Sequence, residues 1–568
     1  MTKDEVLSLI DLLEQVRVPA ERRFGLTEPD PIWNMTIYLM RRHLNGLLVT
    51  PTSLARAAEV PYTTAVRRVE EMRANGLLVY RPRTRSGRSF SIHPSQDLIE
   101  RTFGYAQSVK TAIAKTLGQR DGTGSFYLGT SYLSARIIPG PAVVKDGLGI
   151  GETLNLLLHN DPSFFIGKDL QQEVAHLLGG KVVFHGVPFD EIRLTTLANA
   201  EKAVSDYDIL AVDLPWIGEY ADRAILMPID DLVAEGGINR ADFYPAEWEG
   251  THAEGRQYAV PLLTNPEVLF YRRDMLDACG VSPPTTTDEL LDAARTLHAP
   301  REHCYGVSWT GARGTPVGQA FIQFLADFGQ PILNLRPVVD GYDATHVTGE
   351  QLRPLIDTGR GRATADFMMR LLDVSPPNVI DISWDEQIDL INEGRVAMAY
   401  EWASRASRLA RPPPAGGNVG FLPHPAGCAP SEKVRRDNVS PIGGFVLGIP
   451  ANIAPERIPL AWRAIEWFTS PEVIKLFVQH GGFVMPRFSV AADPEVRRLS
   501  PVIPAVDAMA RKGQLRLWPR PPVAEYPAIV QILGAEVHDM LAGKQAARQT
   551  LSRAQNQVDA LMRERGHY

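Results

Sequence analysis

Four arginines lie within the eight residues 81–88, and no acidic residue stands between them. A guanidinium group donates in a planar fork that matches phosphate oxygens, and several phosphate contacts together give sequence-independent affinity for nucleic acid. Residues 77–80 and 89–92, on either side, have the composition of two strands joined by this basic turn. The arginines in question are Arg81, Arg83, Arg85 and Arg88.

A second polar set precedes this turn. Residues 52–60 have helix-forming spacing behind a Thr/Ser cap, Pro61 and Tyr62 interrupt the pattern, and a second helix is predicted to begin at 63–64. One face of that second helix is apolar. Its other face presents side chains that can contact base edges, namely Thr64, Arg67 and Arg68.

The order helix, turn, helix and two-stranded basic wing resembles the winged helix-turn-helix of bacterial regulators of the MarR type, over about residues 30–95. Glu59 departs from the pattern, because a glycine is usual at the turn. The resemblance implies a double-stranded DNA operator as partner. We therefore predict an α+β winged helix-turn-helix domain over residues 1–120.

Apolar stripes outside the minimal motif, in 6–16 and 98–117, need a partner. They either pack on each other within one chain or act as flanking dimerisation helices. In two-fold regulators such outer helices commonly build the dimer, so a homodimer is expected.

The distribution of charge and the composition of the first residues favour the same interpretation, a DNA-binding protein inside the cell. The 568 residues carry a net charge of -7, but residues 1–120 hold 18 Lys+Arg against 12 Asp+Glu, a balance of +6 that leaves -13 for the remainder. The first residues lack the basic and apolar regions of a signal peptide, and no apolar run approaches a membrane span. The three cysteines form no paired motif. A cytoplasmic location without membrane attachment is expected.

Catalytic and metal-binding signatures are absent from the sequence. There is no HExxH, GxSxG or Walker A motif, and the thirteen histidines are dispersed. An enzyme would need an acid/base pair or a nucleophile. Cys304 and the Asp385-Glu386 pair could be proposed for these roles, yet neither has an identifiable partner. We expect no enzyme, no metal and no cofactor.

After a Gly- and Ser-containing linker at 121–150, the hydrophobic periodicity changes. Strands alternate with helices, which predicts a parallel α/β sheet. The predicted elements are strand 154–158, helix 168–178, strand 181–185, helix 189–198 and strand 207–212.

Several segments in this region carry a second resemblance. They include VPFDEIR at 187–193, YDILAVDLPW at 207–216, GRQYAVP at 255–261, TNPEVLFYRRD at 264–274, SWD at 383–385, NEGRVAM at 392–398, YEW at 400–402, PIGGF at 441–445 and EYP at 525–527. In this order and spacing they resemble the family 1 extracellular solute-binding proteins, the sugar-type receptors of ABC importers with a type 2 periplasmic-binding fold. The resemblance covers residues 151–568 and implies two α/β lobes joined by crossing strands, which close over a solute.

Sugar sites of this kind use aromatic faces and polar side chains. The resemblance implies aromatic candidates at Trp216, Trp309, Trp384 and Trp402. It implies polar candidates at His159, Asn160, Asn265, Arg313, Gln319 and Glu401, with Gly443 allowing close backbone approach.

Together, the two resemblances predict a multidomain, cytoplasmic, ligand-responsive transcription regulator whose second part senses a solute, and the family resemblance implies that this solute is a sugar. The alternative is the solute-binding component of an ABC transport system with an atypical N-terminal extension.

Overall fold

The computed structural model describes residues 30–44, 47–82, 90–102, 104–105, 153–159, 181–339, 341–409, 418–428, 438–479 and 485–568, positions 7, 10 and 109, and three short strands between 119 and 133. The chain forms two units, Met1–Gly147 and Leu148–Tyr568. Of the predicted linker 121–150, the structure describes only the two short strands at 126–128 and 131–133. The predicted helix 168–178 lies outside the described residues.

The first unit contains the helices and strands predicted between 52 and 92. Its elements are α1 (Pro31–Leu44), α2 (Pro51–Arg56), α3 (Tyr62–Ala74), β1 (Leu78–Pro82), β2 (Phe90–Pro94), β3 (Gln119–Arg120), β4 (Phe126–Leu128) and β5 (Ser131–Leu133). Thr50 and Ser53 form a capping box that begins α2. Glu59, at the turn into α3, takes the left-handed conformation with φ 56°, so a glutamate occupies the backbone geometry that usually favours glycine. The strands β1 and β2 pair antiparallel.

The described residues of the two apolar stripes include three that pack against α1 of the same chain. Ile10 is buried with Ile37 and Met40, and Ile99 and Val109 pack against the same cluster. The described part of these stripes therefore has a partner within the chain, which is the first of the two arrangements that the sequence left open.

The second unit is built from two α/β lobes. Its strands are β6 (Leu154–His159), β7 (Val182–Val187), β8 (Ile209–Asp213), β9 (His252–Ala253), β10 (Arg256–Gln257), β11 (Ala259–Thr264), β12 (Glu267–Arg272), β13 (Tyr305–Ser308), β14 (Pro337–Val338), β15 (Gly341–Tyr342), β16 (Val396–Trp402), β17 (Val419–Leu422), β18 (Ser440–Pro441), β19 (Gly444–Gly448) and β20 (Leu515–Arg516). Its helices are α4 (Phe189–Ala200), α5 (Ile217–Asp222), α6 (Asp230–Glu235), α7 (Pro245–Glu249), α8 (Arg273–Ala278), α9 (Thr287–Leu297), α10 (Thr315–Asp327), α11 (Gly359–Leu372), α12 (Trp384–Asn392), α13 (Ile458–Phe468), α14 (Pro471–Gln479), α15 (Phe488–Ala491), α16 (Pro494–Leu499), α17 (Val502–Arg511), α18 (Tyr526–Leu541) and α19 (Ala547–Glu564).

The first lobe contains a five-stranded sheet in the order β11-β19-β8-β6-β7. The strands β6, β7 and β8 run parallel, as the alternation of strands and helices predicted. All of β8 and most of β6 are buried, which explains their nearly unbroken apolar sequence.

The second lobe contains a four-stranded sheet in the order β13-β16-β12-β17. β13 runs parallel to β16, whereas β12 is antiparallel to both its neighbours. The long helices α10 and α18 pack against each other beside this sheet.

Two chain segments cross between the lobes side by side. The first runs from β11 to β12 through Asn265 and Pro266, and the second runs from β18 to β19 through Gly443. The Asn265 N–H donates to the Gly443 carbonyl at 2.8 Å, and the Gly443 N–H donates back to the Asn265 carbonyl at 3.1 Å. Pro266 has no N–H to extend that ladder. The pairing of the first crossing segment therefore changes here: β11 pairs with β19 in the first lobe, and β12 pairs with β16 in the second.

A fully buried carboxyl group lies against the first crossing segment. Glu247 of α7 accepts a hydrogen bond from the Thr264 hydroxyl at the end of β11. Burial raises the pKa of Glu247 to about 8, an effect that the Thr264 hydrogen bond and Arg520 only partly oppose. Glu247 is therefore mostly protonated at neutral pH.

We predict that the free energy of unfolding of the second unit falls as pH rises from about 5 to above 8. The pKa of Glu247 is raised in the folded state, so its stabilising contribution is complete below the ordinary glutamate pKa and is lost as pH rises through about 8. Glu247→Gln keeps the shape and removes the ionisation, so its stability should depend less steeply on pH. Denaturant unfolding followed by tryptophan fluorescence measures this, since eight of the nine tryptophans lie in the second unit.

The matched control is Glu235→Gln, which changes an exposed carboxyl at the end of α6 and should keep the wild-type slope. A Glu247→Gln variant with the same pH slope as the wild type would contradict the assignment.

Candidate functional site

Three aromatic side chains meet at the carboxyl edge of the first lobe's parallel strands. His159 ends β6, Phe189 follows β7, and Trp216 follows β8 in a short 3-10 turn. The carboxyl ends of parallel strands lie along one edge of a sheet, so side chains placed there converge. The ring centroids of His159 and Phe189 are 5.4 Å apart, and those of Phe189 and Trp216 are also 5.4 Å apart.

The second lobe adds an aromatic ring to this group. Trp384 is the first residue of α12, whose start is fixed by a capping box between Ser383 and Glu386. Its ring lies 5.9 Å from that of Phe189, edge to face. Trp384 and Phe189 thus meet across the cleft between the lobes.

Phe445 of β19 completes what we call the aromatic cluster. Its ring stacks on His159 at 5.3 Å. Trp216 is 8 % exposed, and the other members are only partly buried. The aromatic cluster therefore presents ring surface at the cleft, and it consists of His159, Phe189, Trp216, Trp384 and Phe445.

The crossing segments bring three predicted site residues together. The side-chain oxygen of Asn265 accepts from the Ser404 N–H at 2.9 Å. Trp402, at the end of β16, lies so close to Gly443 that a Cβ added to this glycine would be 2.8 Å from the indole. Gly443 is therefore required for the close approach of Asn265, Trp402 and the second crossing segment.

Arg520 fills the space beside this junction and is 2 % exposed. Its Nη1 donates to the Ile442 carbonyl at 3.0 Å, its Nη2 to Asp213 at 3.3 Å, and its Nε to the Tyr526 hydroxyl at 3.3 Å. The guanidinium carbon lies 5.0 Å from the centre of the Trp402 ring. Burial raises the pKa of Asp213, and the Arg520 charge opposes that rise.

Glu401 precedes Trp402 on β16 and is fully buried. Its Oε1 accepts from the Trp402 N–H at 2.7 Å. Burial raises the pKa of Glu401 to about 8, with Arg405 opposing the shift, so the carboxyl group carries a proton at neutral pH. In that form it is able to donate a hydrogen bond as well as accept one.

Three other predicted site residues belong to the second lobe. Trp309 is fully buried in the second lobe and donates to the Ser375 hydroxyl at 3.1 Å. Gln319 is buried within α10, and the exposed Arg313 pairs with Asp539 at 2.7 Å. Asn160 lies outside the described residues.

The residues predicted to contact DNA are only partly described. On α3, Arg67 is exposed and Thr64 half-buried, whereas Arg68 pairs with Glu71 at 2.6 Å. Arg81 is exposed on β1. Arg83, Arg85 and Arg88 lie outside the described residues.

Sequence reasoning missed Phe189, Phe445 and Arg520. Phe189 and Phe445 stand inside segments that carried the family resemblance, and Phe189 directly follows a predicted strand. An aromatic residue at such a strand end was the available signal. No local sequence signal marks Arg520, because its ionic partner Asp213 is 307 positions away.

Among the described residues, no group of three or more His, Cys, Asp or Glu could hold a metal ion. None of the helices in that part of the chain combines the length and apolar character needed to cross a bilayer.

The family model for bacterial extracellular solute-binding proteins matches residues 168–475. A maltotriose-binding protein of Pyrococcus abyssi is 24% identical over 294 residues, which cover 51% of this chain and 56% of the relative. A mannitol-binding protein of Pseudomonas aeruginosa is 24% identical over 210 residues, or 36% and 44% of the two chains. The chain thus spans about half the length of these relatives.

Solved structures extend the likeness to the whole two-lobed architecture. An ABC transporter solute-binding protein of Agrobacterium radiobacter in complex with ribitol has a TM-score of 0.63 and 26% identity, and the match covers 72% of this chain and 99% of that one. A maltose-bound protein of T. maritima has a TM-score of 0.60 and 22% identity, with coverage of 72% and 99%. The predicted two-lobed, periplasmic-binding-protein-like fold is confirmed.

These findings overturn two predictions. The relatives are solute-binding proteins of sugars and polyols, so the prediction of a transcription regulator is wrong. The family is described as extracellular, so the predicted cytoplasmic location is wrong as well. The alternative, a transport solute-binding protein, agrees better with the findings. With more than half of its length matched by the family model, the chain belongs to the bacterial extracellular solute-binding proteins.

Proposed function

We propose that the chain binds a sugar or polyol between the two lobes of its second unit, as the solute-binding component of an ABC transport system. The observation that carries this proposal is the aromatic contact between Phe189 and Trp384, which joins the two lobes across the cleft. Family membership and the ribitol, mannitol and maltotriose named for similar proteins support it.

The chemistry of the cleft suits such a solute. Carbon-bound hydrogens of a sugar or polyol pack against aromatic faces, while its hydroxyls need hydrogen-bond partners. The aromatic cluster and Trp402 supply the faces. Asn265 and the protonated Glu401 supply polar groups beside the crossing, and Gly443 leaves room for the backbone to approach. Contacts from Asn160, Trp309, Arg313 and Gln319 stay predictions.

A thermal-shift screen tests the proposal directly. Ribitol, mannitol, maltose and maltotriose should be compared with an amino acid as the control solute. A solute at about 100 times its dissociation constant stabilises the folded state by ~2.7 kcal/mol, and the unfolding temperature rises accordingly. If pentitols, hexitols and maltooligosaccharides in the millimolar range all leave that temperature unchanged, the proposal is overturned.

Trp384→Ala should reduce the affinity for the solute that the screen identifies by tenfold or more, a loss of ~1.4 kcal/mol. The substitution removes the second lobe's part of the aromatic cluster and the ring contact to Phe189. Isothermal titration calorimetry measures the affinity, and a melting curve of the same variant reports any loss of stability.

Trp462→Phe is the matched control, because that indole is buried within α13 and is not among the predicted site residues. It should retain wild-type affinity even where its stability is lower. Undiminished affinity in Trp384→Ala would remove Trp384 from the binding surface.

We also propose a winged helix-turn-helix fold for the first unit. The helices α2 and α3, the left-handed turn at Glu59 and the antiparallel hairpin of β1 and β2 support it. The duplex DNA partner and the homodimer find no support among the relatives and stay predictions.

If the first unit contacts phosphate, replacing Arg67 and Arg81 together by Ala should weaken binding of the full chain to a random duplex and flatten its salt dependence. Fluorescence anisotropy at increasing salt measures both effects. Arg295→Ala, an exposed arginine of α9, is the control and should change neither. Absence of duplex binding by the wild type at low salt would exclude the DNA partner.

A further inference from the structure

We propose that Arg520 is a positioning residue that holds the two lobes in register and orients Trp402 for the solute. Because the role concerns the same cleft, it rests on the proposed function. The contacts of this one side chain support the role. It contacts a strand end of the first lobe, a crossing segment, and a helix and a strand end of the second lobe.

The first-lobe contact is the ion pair with Asp213 at 3.3 Å. Asp213 is the last residue of β8, three positions before Trp216 of the aromatic cluster. Both side chains of the pair are buried, with the Arg520 side chain 3 % exposed and that of Asp213 7 %. A charge buried to this degree needs its partner, so the pair resists separation.

The contacts on the other side reach the crossing and the second lobe. Arg520 donates to the Ile442 carbonyl, one residue before Gly443, and to the Tyr526 hydroxyl at the start of α18. Its guanidinium also faces the ring of Trp402. A methyl group at Gly443 would collide with both Arg520 and Trp402, so the two side chains are packed against the same backbone point.

The surrounding carboxyl groups leave Asp213 as the ionic partner. Burial raises the pKa of Glu247 to about 8 and that of Glu267 to about 7, and Arg520 opposes both shifts. Glu247 is therefore mostly protonated at neutral pH and does not compete for the guanidinium charge. Among the described residues, Asp213 is the carboxyl group within ion-pairing distance of Arg520, at 3.3 Å, and the two residues are contributed by different parts of the fold.

The inter-lobe distance in the absence of solute tests this role. Spin labels at Val204→Cys in the first lobe and at the native Cys279 in the second, in a background of Cys304→Ser and Cys428→Ser, give a distance distribution by pulsed electron paramagnetic resonance. Val204 and Cys279 are both exposed. Arg520→Lys retains the charge but loses the planar fork, so its distribution should be broader and shifted to longer distances than that of the wild type.

The control is Arg516→Lys, the same chemical change in the same segment but outside this contact set, and it should leave the distribution unchanged. Asp213→Asn should reproduce the shift of Arg520→Lys, and the double variant should add little to either, because both substitutions break the same contact. Where ribitol, mannitol or maltose binds the wild type, Arg520→Lys should weaken that binding about tenfold.

Wild-type distributions in both single variants, or additive shifts in the double variant, would overturn the role of Arg520. If Arg520→Lys does not fold, Asp213→Asn decides alone, and an unchanged distribution overturns the proposal. Failure of every solute to bind would overturn the proposed function instead, while the solute-free distances still decide the role of Arg520.

Discussion

The pairing of the two crossing segments constrains everything else in the second unit. Asn265 and Gly443 exchange two backbone hydrogen bonds at the point where the chain leaves one sheet and enters the other. Pro266 ends the ladder, and the lack of a side chain at Gly443 lets Trp402 come close. These two segments therefore join the lobes through paired backbone, and β20, which leads towards α18 of the second lobe, pairs with β18 beside them.

Burial determines which of the ionisable side chains near the crossing segments carry a charge. The interior cannot solvate several ionised carboxylates, so Glu247 and Glu401 keep their protons at neutral pH. Arg520 remains charged and pairs with Asp213. Neutral carboxyl groups can both donate and accept hydrogen bonds, which suits a site for hydroxyl-rich solutes and avoids repulsion between acidic side chains.

Much of the second unit's architecture was predictable from sequence. Periodicity predicted three of the five strands of the first sheet, β6, β7 and β8, and the family resemblance of the ordered segments implied the two lobes. Single residues were harder to predict, because a tryptophan that follows a strand, as Trp216 and Trp309 do, has the same local sequence signature whether it packs inward or faces the cleft. Arg520 could not be predicted from the sequence for a different reason, because its partners are brought together only by the fold. The regulator was inferred from the winged helix-turn-helix resemblance and the basic N-terminal part, and the cytoplasmic location from the composition of the first residues. Similarity over the second unit overturned both predictions.

The crossing segments are also tied directly to the aromatic cluster. Phe445 stands two residues after Gly443, and its ring centroid lies 5.3 Å from that of His159 and 6.5 Å from that of Phe189. Trp384 is the one member of the aromatic cluster that the second lobe supplies, and it reaches the cluster through Phe189. The first-lobe rings therefore form one mechanical body with the crossing backbone, and the Phe189–Trp384 contact is the joint at which the other lobe meets that body.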